Sequence, residues 1–191
     1  MTQLNLYTLH TNLALFSNFT YFLDDPVNGD QFSQVDKRFQ SAMNLSHLWV
    51  NRIGGLEVEN TAGIQFQNDV IDNGLLSTKQ RQTLSTTRKD HINQNSVGLY
   101  YQNSIQWLEK FRSVAGVRSD YYWFDVSSHQ AVNSGKRYDS ITNPKISLIF
   151  GPWAQTEFYF NYGGGFHSND ARGTTTTVDP KSGDPVNRVN P

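Results

Sequence analysis

The feature that most constrains this chain is an alternation of apolar and polar residues with a period of two, repeated from one end to the other. Successive side chains of a strand point to opposite faces, so this period specifies strands with one apolar and one polar side. The clearest stretch runs from Ser96 to Trp107. Val97, Leu99, Tyr101, Ile105 and Trp107 fall on one face, interrupted by Asn103, while Gly98, Tyr100, Gln102, Ser104 and Gln106 fall on the other. Leu56, Val58, Ala62, Ile64, Phe66 and Val70 oppose Glu57, Glu59, Thr61, Gln65, Gln67 and Asp69 in the same way. Ile146, Leu148 and Phe150 oppose Lys145 and Ser147, and Phe158, Phe160 and Tyr162 oppose Glu157, Tyr159 and Asn161. No stretch has the helical period, although Thr78–Arg88 could form a turn of helix inside a loop.

The pattern predicts an all-β, antiparallel chain of about eight strands, near 2–9, 12–23, 32–50, 55–71, 91–107, 111–128, 143–151 and 156–167. The predicted connections alternate in length. Short ones lie near Asn51–Gly54, Glu109–Lys110 and Pro152–Gln155; longer ones lie near Asp24–Gln31, Asn73–Asp90, Ser128–Thr142 and from Ser168 onward. A transmembrane β-barrel sorts its loops this way, and a soluble antiparallel sheet has no general reason to. Trp49, Trp107 and Trp153 each fall beside a short turn. An indole has an apolar body and a polar N–H and settles at a membrane–water boundary, so these three are the expected membrane-interface girdle. Trp123 falls toward the other end, with Tyr121 and Tyr122.

Composition fits a strand-built membrane wall better than a helical one. Mean hydropathy is −0.57 and only 37% of residues are hydrophobic, with no apolar run near the roughly 20 residues a spanning helix needs. A barrel tolerates this, because only one face of each strand meets lipid. The net charge of −1 supplies no basic excess for nucleic acid. There is no cysteine, hence no disulfide or thiolate metal site. Met1-Thr2-Gln3-Leu4-Asn5 has no signal-peptide character, so the expectation is that Met1 is not the native start of an exported protein.

Few motifs carry chemistry. Asp24-Asp25-Pro26-Val27-Asn28-Gly29-Asp30 places proline where a calcium loop needs an oxygen ligand, and is expected to be a turn. His167, Ser168 and Asp170 are too close in sequence for a catalytic triad. His10, His47, His91 and His129 lack metal-ligand spacing. Gly163-Gly164-Gly165 lacks the lysine and helix of a phosphate loop, and the Asn18 and Asn44 glycosylation sequons fall inside predicted strands. No catalytic, metal or cofactor site is expected. Glu57, Glu59, Asp69, Arg112, Arg118 and Asp120 share the polar face and are expected to line a lumen, where water or a plug could meet them.

The stretch from Asn143 to Trp153 (NPKISLIFGPW), followed by Thr156–Gly163 (TEFYFNYG) and Gly165–Gly173 (GFHSNDARG), resembles TonB-dependent outer-membrane receptors. Leu15–Pro26 with Asn28–Phe32, Gly116–Asp120 and Asn133–Gly135 fit the same family, and the resemblance covers essentially the whole chain. It implies a receptor in the outer membrane of a Gram-negative bacterium that takes up a scarce nutrient, often a ferric siderophore. The implied partners are outer-membrane lipid, the transported ligand and, through a plug domain, the TonB complex. The expected domain content of 1–191 is a partial barrel without plug or signal peptide, forming an open, curved sheet. By loop position, His167, Asn169, Asp170 and Arg172 are candidate ligand contacts, although the preferred reading is that this segment folds and anchors its loop. Two rivals remain. A small closed or porin-like barrel requires 2–9 to pair with 156–167. A soluble β-sandwich requires Leu99, Ile146, Leu148 and Phe158 to be buried against a second sheet.

Overall fold

The alternation resolves into one sheet. The computed structural model describes residues 1–166 and 169–190. Within them the strands are β1 (Thr2–Ser17), β2 (Phe32–Ile53), β3 (Leu56–Lys79), β4 (Gln82–Leu108), β5 (Phe111–Ser128), β6 (Gly135–Trp153) and β7 (Thr156–Gly163). They are antiparallel and ordered β1 to β7, each beside its chain neighbours, in a curled half-barrel. A 3-10 turn (Ala131–Asn133) and a one-turn helix, α1 (Ala171–Thr175), complete the elements. β1 and β7 are opposite edges, so the pairing required by a small closed barrel is not formed among the described residues. No second sheet covers the apolar face there, and Leu99, Ile146 and Phe158 stay 47%, 43% and 55% exposed.

Register aligns the apolar positions into continuous rows. Leu4, Leu45, Ile64 and Leu99 form one, and Leu6, Met43, Phe66, Val97 and Tyr121 the next. Lower rows run through Tyr101, Val117 and Pro144, then Ala115, Ile146 and Tyr162, then Leu148 and Phe160. Asn103, which interrupts this face in the sequence, donates to Asn60 Oδ1 at 2.9 Å, and the Tyr101 hydroxyl donates to the same oxygen at 2.5 Å. Trp49 lies opposite Asn60, its ring 6.3 Å from that of Tyr101, and Asn60 is only 7% exposed. The polar pair is therefore satisfied internally beneath aromatic rings.

Higher up, the same face turns polar. Asn68, Asn93 and Asn95 bond to one another at 2.7–3.0 Å, Asp72 meets His91 at 2.8 Å, and Asp125 meets Lys136 at 2.9 Å. Val97–Trp107 matches the roughly 9–11 residues of a bilayer-crossing strand. The part of β4 above Val97 adds roughly 50 Å of strand.

Several predicted boundaries move. The segments expected at 2–9 and 12–23 are one strand ending at Ser17, giving seven strands rather than eight. Phe19, Tyr21 and Leu23 continue the alternation but sit in a loop, because side chains capture the backbone there. The Asp30 carboxylate accepts from the N–H groups of Leu23, Asp24 and Asp25 at 2.7–3.2 Å, and Asp25 accepts from those of Val27 and Asn28. Gly29 takes φ +83° in this turn. The long loop expected at Asn73–Asp90, with its turn of helix, is instead a tall hairpin. β3 and β4 pair up to Lys79↔Gln82, and Gln80 and Arg81, with φ 49° and 66°, make a two-residue turn of the kind that matches strand twist. β6 likewise starts at Gly135, not near 143. The lower turns are short, at Gly54-Gly55, Glu109-Lys110 and Ala154-Gln155. The asymmetry between the two ends thus lies in strand extension as well as in loop length.

Candidate functional site

The concave face is polar at mid-height. Two glycines let long side chains lie flat across it. A Cβ on Gly63 would come within 2.4 Å of the Tyr100 ring, and one on Gly98 within 2.3 Å of the Arg118 guanidinium. Arg118 bonds both Asp120 oxygens, Nη2 reaching Oδ1 at 2.7 Å, and donates to Gln65 Oε1 at 2.7 Å. Gln67 donates to Asp69 at 2.6 Å, and Arg38 stands 3.9 Å from Asp69. Burial of Asp69 and Asp120, each 2% exposed, is therefore accompanied by neighbouring donors or a cation. Glu57 and Glu59 remain exposed toward the lower end. A polar recess of about 450 Å³ lies here, with Tyr7, Asn44, Gln67, Gln94 and Arg118 among its lining residues.

Above Asp69 the two faces exchange character. Ile71, Ile92, Phe124 and Val126 face inward and are buried, with Tyr122 against their edge. What covers them is the chain beyond β7, which folds back over the concave face. Ala171 of α1 packs into this cluster, and Thr174 and Thr175 are buried beside it. Tyr122, at the upper end with Tyr121 and Trp123 as expected but of the opposite parity, faces the lumen and packs edge-on against Phe166. Tyr121 and Trp123 lie on the outward face, where Trp123 pairs with Asn95 and Tyr138.

Polar side chains from three strands, β3, β4 and β6, and from the loop after β5 hold this cap in place. Arg137 Nε donates to the Thr174 carbonyl at 3.1 Å and Arg88 Nη2 to Thr176 Oγ1 at 3.1 Å. Arg88 also pairs with buried Asp90. Asn133 is fully buried. Its Nδ2 donates to the Val178 carbonyl at 2.8 Å, and its Oδ1 accepts from the N–H groups of Thr177 and Val178 at 2.9 and 3.0 Å. One side chain thus supplies the cap with the pairing of a short strand.

The residues singled out by loop position divide. Asp170 N-caps α1, accepting from the Arg172 N–H at 2.9 Å. The Arg172 guanidinium donates to both Asp170 oxygens and reaches Asn73 on β3. Burial pushes the Asp170 carboxyl up, but the hydrogen bonds and charge of Arg172 outweigh it and hold the group below the usual carboxylate range. Asp170 in turn strengthens the hold of Arg172 on its proton. Asn169 donates to the Asn190 carbonyl at 2.8 Å. His167 and Ser168 lie outside the described residues. Asp36, Arg38, Asn73, Gln94, Asn169, Asp170 and Arg172 enclose a recess of about 230 Å³ beneath α1. Sequence reasoning missed Asn133, Arg88, Arg137, Asp36 and Arg38. A usable signal existed for two pairs, since Asp36/Arg38 and Arg88/Asp90 are opposite charges two residues apart on one strand face.

Trp49, Trp107 and Trp153 stand near the lower end. The Trp107 indole donates to Ser113 at 2.7 Å beside the Glu109-Lys110 turn, and Trp153 packs 6.0 Å from Phe158 beside the Ala154-Gln155 turn. The Trp49 ring lies 5.7 Å from that of His47, tilted against it, on the strand leading to the Gly54-Gly55 turn.

No curated protein matches the chain. The family model described as TonB dependent receptor-like, beta-barrel, matches residues 2–191. Its members are receptors and transporters, not enzymes, and typically sit in the Gram-negative outer membrane. The all-β half-barrel, its outward apolar band and its polar, capped concave face agree with that match, and the chain belongs to the TonB-dependent receptor β-barrel family.

Proposed function

We propose that this chain forms part of the wall of an outer-membrane uptake receptor, energised through TonB in the full-length protein and taking up a scarce nutrient such as a ferric siderophore. The observation that carries the reading is the change of the outward face with height. An apolar band of bilayer-crossing length gives way to paired amides and ion pairs, as a wall leaving hydrocarbon for water requires. Trp49, Trp107 and Trp153 anchor the lower boundary at the membrane interface. The capped lumen lies at the opposite end, where ligand arrives. There Asp170 and Arg172 fix the cap, and His167, Asn169, Asp170 and Arg172 are the proposed ligand-contacting segment.

The absence of cysteine makes the band directly testable. Single cysteines at Leu99 and Ile146 should resist a water-soluble maleimide in outer-membrane vesicles, whereas cysteines at Asn93 and Lys136 should react. Equal labelling of all four would remove the membrane reading. Alanine at His167, Asn169, Asp170 and Arg172 together should abolish uptake by the full-length receptor. Undiminished uptake would remove the ligand-contact assignment.

A further inference from the structure

A pocket of about 540 Å³ lies at the top of the concave face, where the loop of residues 18–31 meets β2, β3, β4 and the cap. It shares no lining residue with the recess beneath α1, and its volume falls in the range of roughly 300–1,000 Å³ usual for small-molecule sites. Phe32 pairs with Ser77 and Gln34 with Leu75, and all four have the inward parity of Ile71. Phe19 adds a second ring from the loop. It lies 5.9 Å from that of Phe32, tilted at 47°, and the residue is 79% exposed. Thr87 completes the lining. The register passes from Leu75↔Arg88 to Leu76↔Thr86, so Thr87 is the extra residue of a bulge, a device that re-aims a side chain.

The loop that carries Phe19 is held in place by its own bonds. Besides the N–H groups gathered by the Asp25 and Asp30 carboxylates, the Asp30 N–H donates to the Tyr21 carbonyl at 2.6 Å and the Thr78 N–H to the Gln31 carbonyl at 2.8 Å. Gln31 Oε1 accepts from the Thr78 hydroxyl and the Arg81 N–H at 3.1 and 2.9 Å. An exposed ring on such a preorganised loop loses little freedom when it is covered. The charges around the pocket are committed. Asp25 and Asp30 are taken by the loop backbone, and Asp24 meets Lys181 at 3.5 Å. Three carboxylates against one ammonium also repel an anion. Left for a ligand are two rings, the Leu75 side chain, the Gln34 amide and the Ser77 and Thr87 hydroxyls, and these last three groups have no hydrogen-bond partner among the described residues.

We propose that this pocket binds an uncharged aryl group, its ring packed against Phe19 and Phe32 and its polar substituents bonded to Gln34, Ser77 and Thr87. That the aryl group belongs to the nutrient taken up rests on the receptor reading given above; the binding site itself does not.

The test reads binding to the whole chain in phosphatidylcholine nanodiscs by saturation-transfer NMR. The probe is phenyl glucoside, and methyl glucoside is its neutral counterpart without the ring. The wild type should bind phenyl glucoside and not methyl glucoside, and phenyl phosphate and benzylamine should bind no more tightly than phenyl glucoside. Phe19→Ala should weaken phenyl glucoside about tenfold, and Phe19→Tyr should retain it. Leu23→Ala, which removes a comparably exposed side chain of the same loop outside the pocket, should change nothing. A second measurement leaves Phe19 in place: phenyl glucoside should slow modification of Thr87→Cys by a water-soluble thiosulfonate and leave Leu23→Cys unaffected. The site is overturned if methyl glucoside binds equally, if Phe19→Ala binds like wild type, if Leu23→Ala weakens binding as much, if either charged ring binds more tightly, or if Thr87→Cys is not protected. Neither measurement involves transport, so failure of the receptor reading leaves both results standing, and failure of the site leaves the labelling of the apolar band unchanged.

Discussion

Replacing Asn133 by alanine should loosen the Thr177–Val178 part of the cap from the wall while leaving the sheet intact. The side chain is fully buried and pairs three backbone groups of the cap, the N–H of Thr177, the N–H of Val178 and the carbonyl of Val178. Alanine leaves all three without a partner, at about 1–3 kcal/mol for each that stays dry. Thr177 and Val178 are half-buried, so water recovers part of this; about 3 kcal/mol remains, or roughly a hundredfold in the local opening equilibrium. The strands are held by their own ladders and do not depend on this residue. Hydrogen exchange on the reconstituted chain is the assay. The Thr177 and Val178 amides should lose about two orders of magnitude of protection, trypsin should cut faster at Lys181 and Arg188, and amides of β3 and β4 such as Ile64 and Leu99 should keep theirs. Unchanged protection at Thr177 and Val178 would refute the claim that the Asn133 amide holds this part of the cap. Equal loss throughout the sheet would refute the claim that the cap opens independently.

Other perturbations test other levels of the structure. Gly63→Ala should destabilise by about 1–3 kcal/mol, because the new methyl meets the Tyr100 ring; with Tyr100→Ala already present the extra cost should largely vanish, a non-additivity measurable in denaturant unfolding. Asn60→Leu should cost about 1–3 kcal/mol by orphaning the Tyr101 hydroxyl and the Asn103 amide. Adding Tyr101→Phe and Asn103→Leu should restore most of that loss; no recovery would mean that the polar pair has a role beyond satisfying itself. Acidification should loosen the cap. The Asp170 carboxyl is held below its ordinary range, so its contribution is complete above that range and disappears as pH falls through the lowered value. Protection of the α1 amides, taken relative to their intrinsic exchange rate at each pH, should fall there in the wild type, whereas in Asp170→Asn it should be low and nearly independent of pH.

Much of the wall was legible because a strand writes its two environments into alternate residues. Val97 to Trp107 announced β4, and the rows it forms with β3 and β5 follow from the same parity. The misreadings came where a non-local partner replaced the local rule. Phe19 and Leu23 keep the period but leave the ladder, because the Asp30 carboxylate takes the backbone donors that strand pairing would have used. Asn73–Asp90 contains Ser, Thr and charged residues that resemble a loop, yet it pairs to Lys79↔Gln82, because the ladder is made by backbone groups and needs no apolar face. The cap was the least legible part. Asp170 and Arg172 stand out by position, but Asn133, although it falls in a stretch that fits the family, gives no sign of its role, since one amide near a strand end is unremarkable until Thr177 and Val178 arrive against it.

By itself, the sequence determined the strand character of this protein and the outward apolar band, because both depend only on the period of two and on residue type. Tertiary structure decided where that band ends and what happens above it. The inward turn of Ile71, Ile92, Phe124 and Val126 makes sense only with Ala171 folded onto them, and the two faces exchange roles there because the wall has found a protein partner on its concave side. A period can say that a face is apolar, but whether lipid or a returning segment of chain covers it is fixed by contacts between residues far apart in sequence.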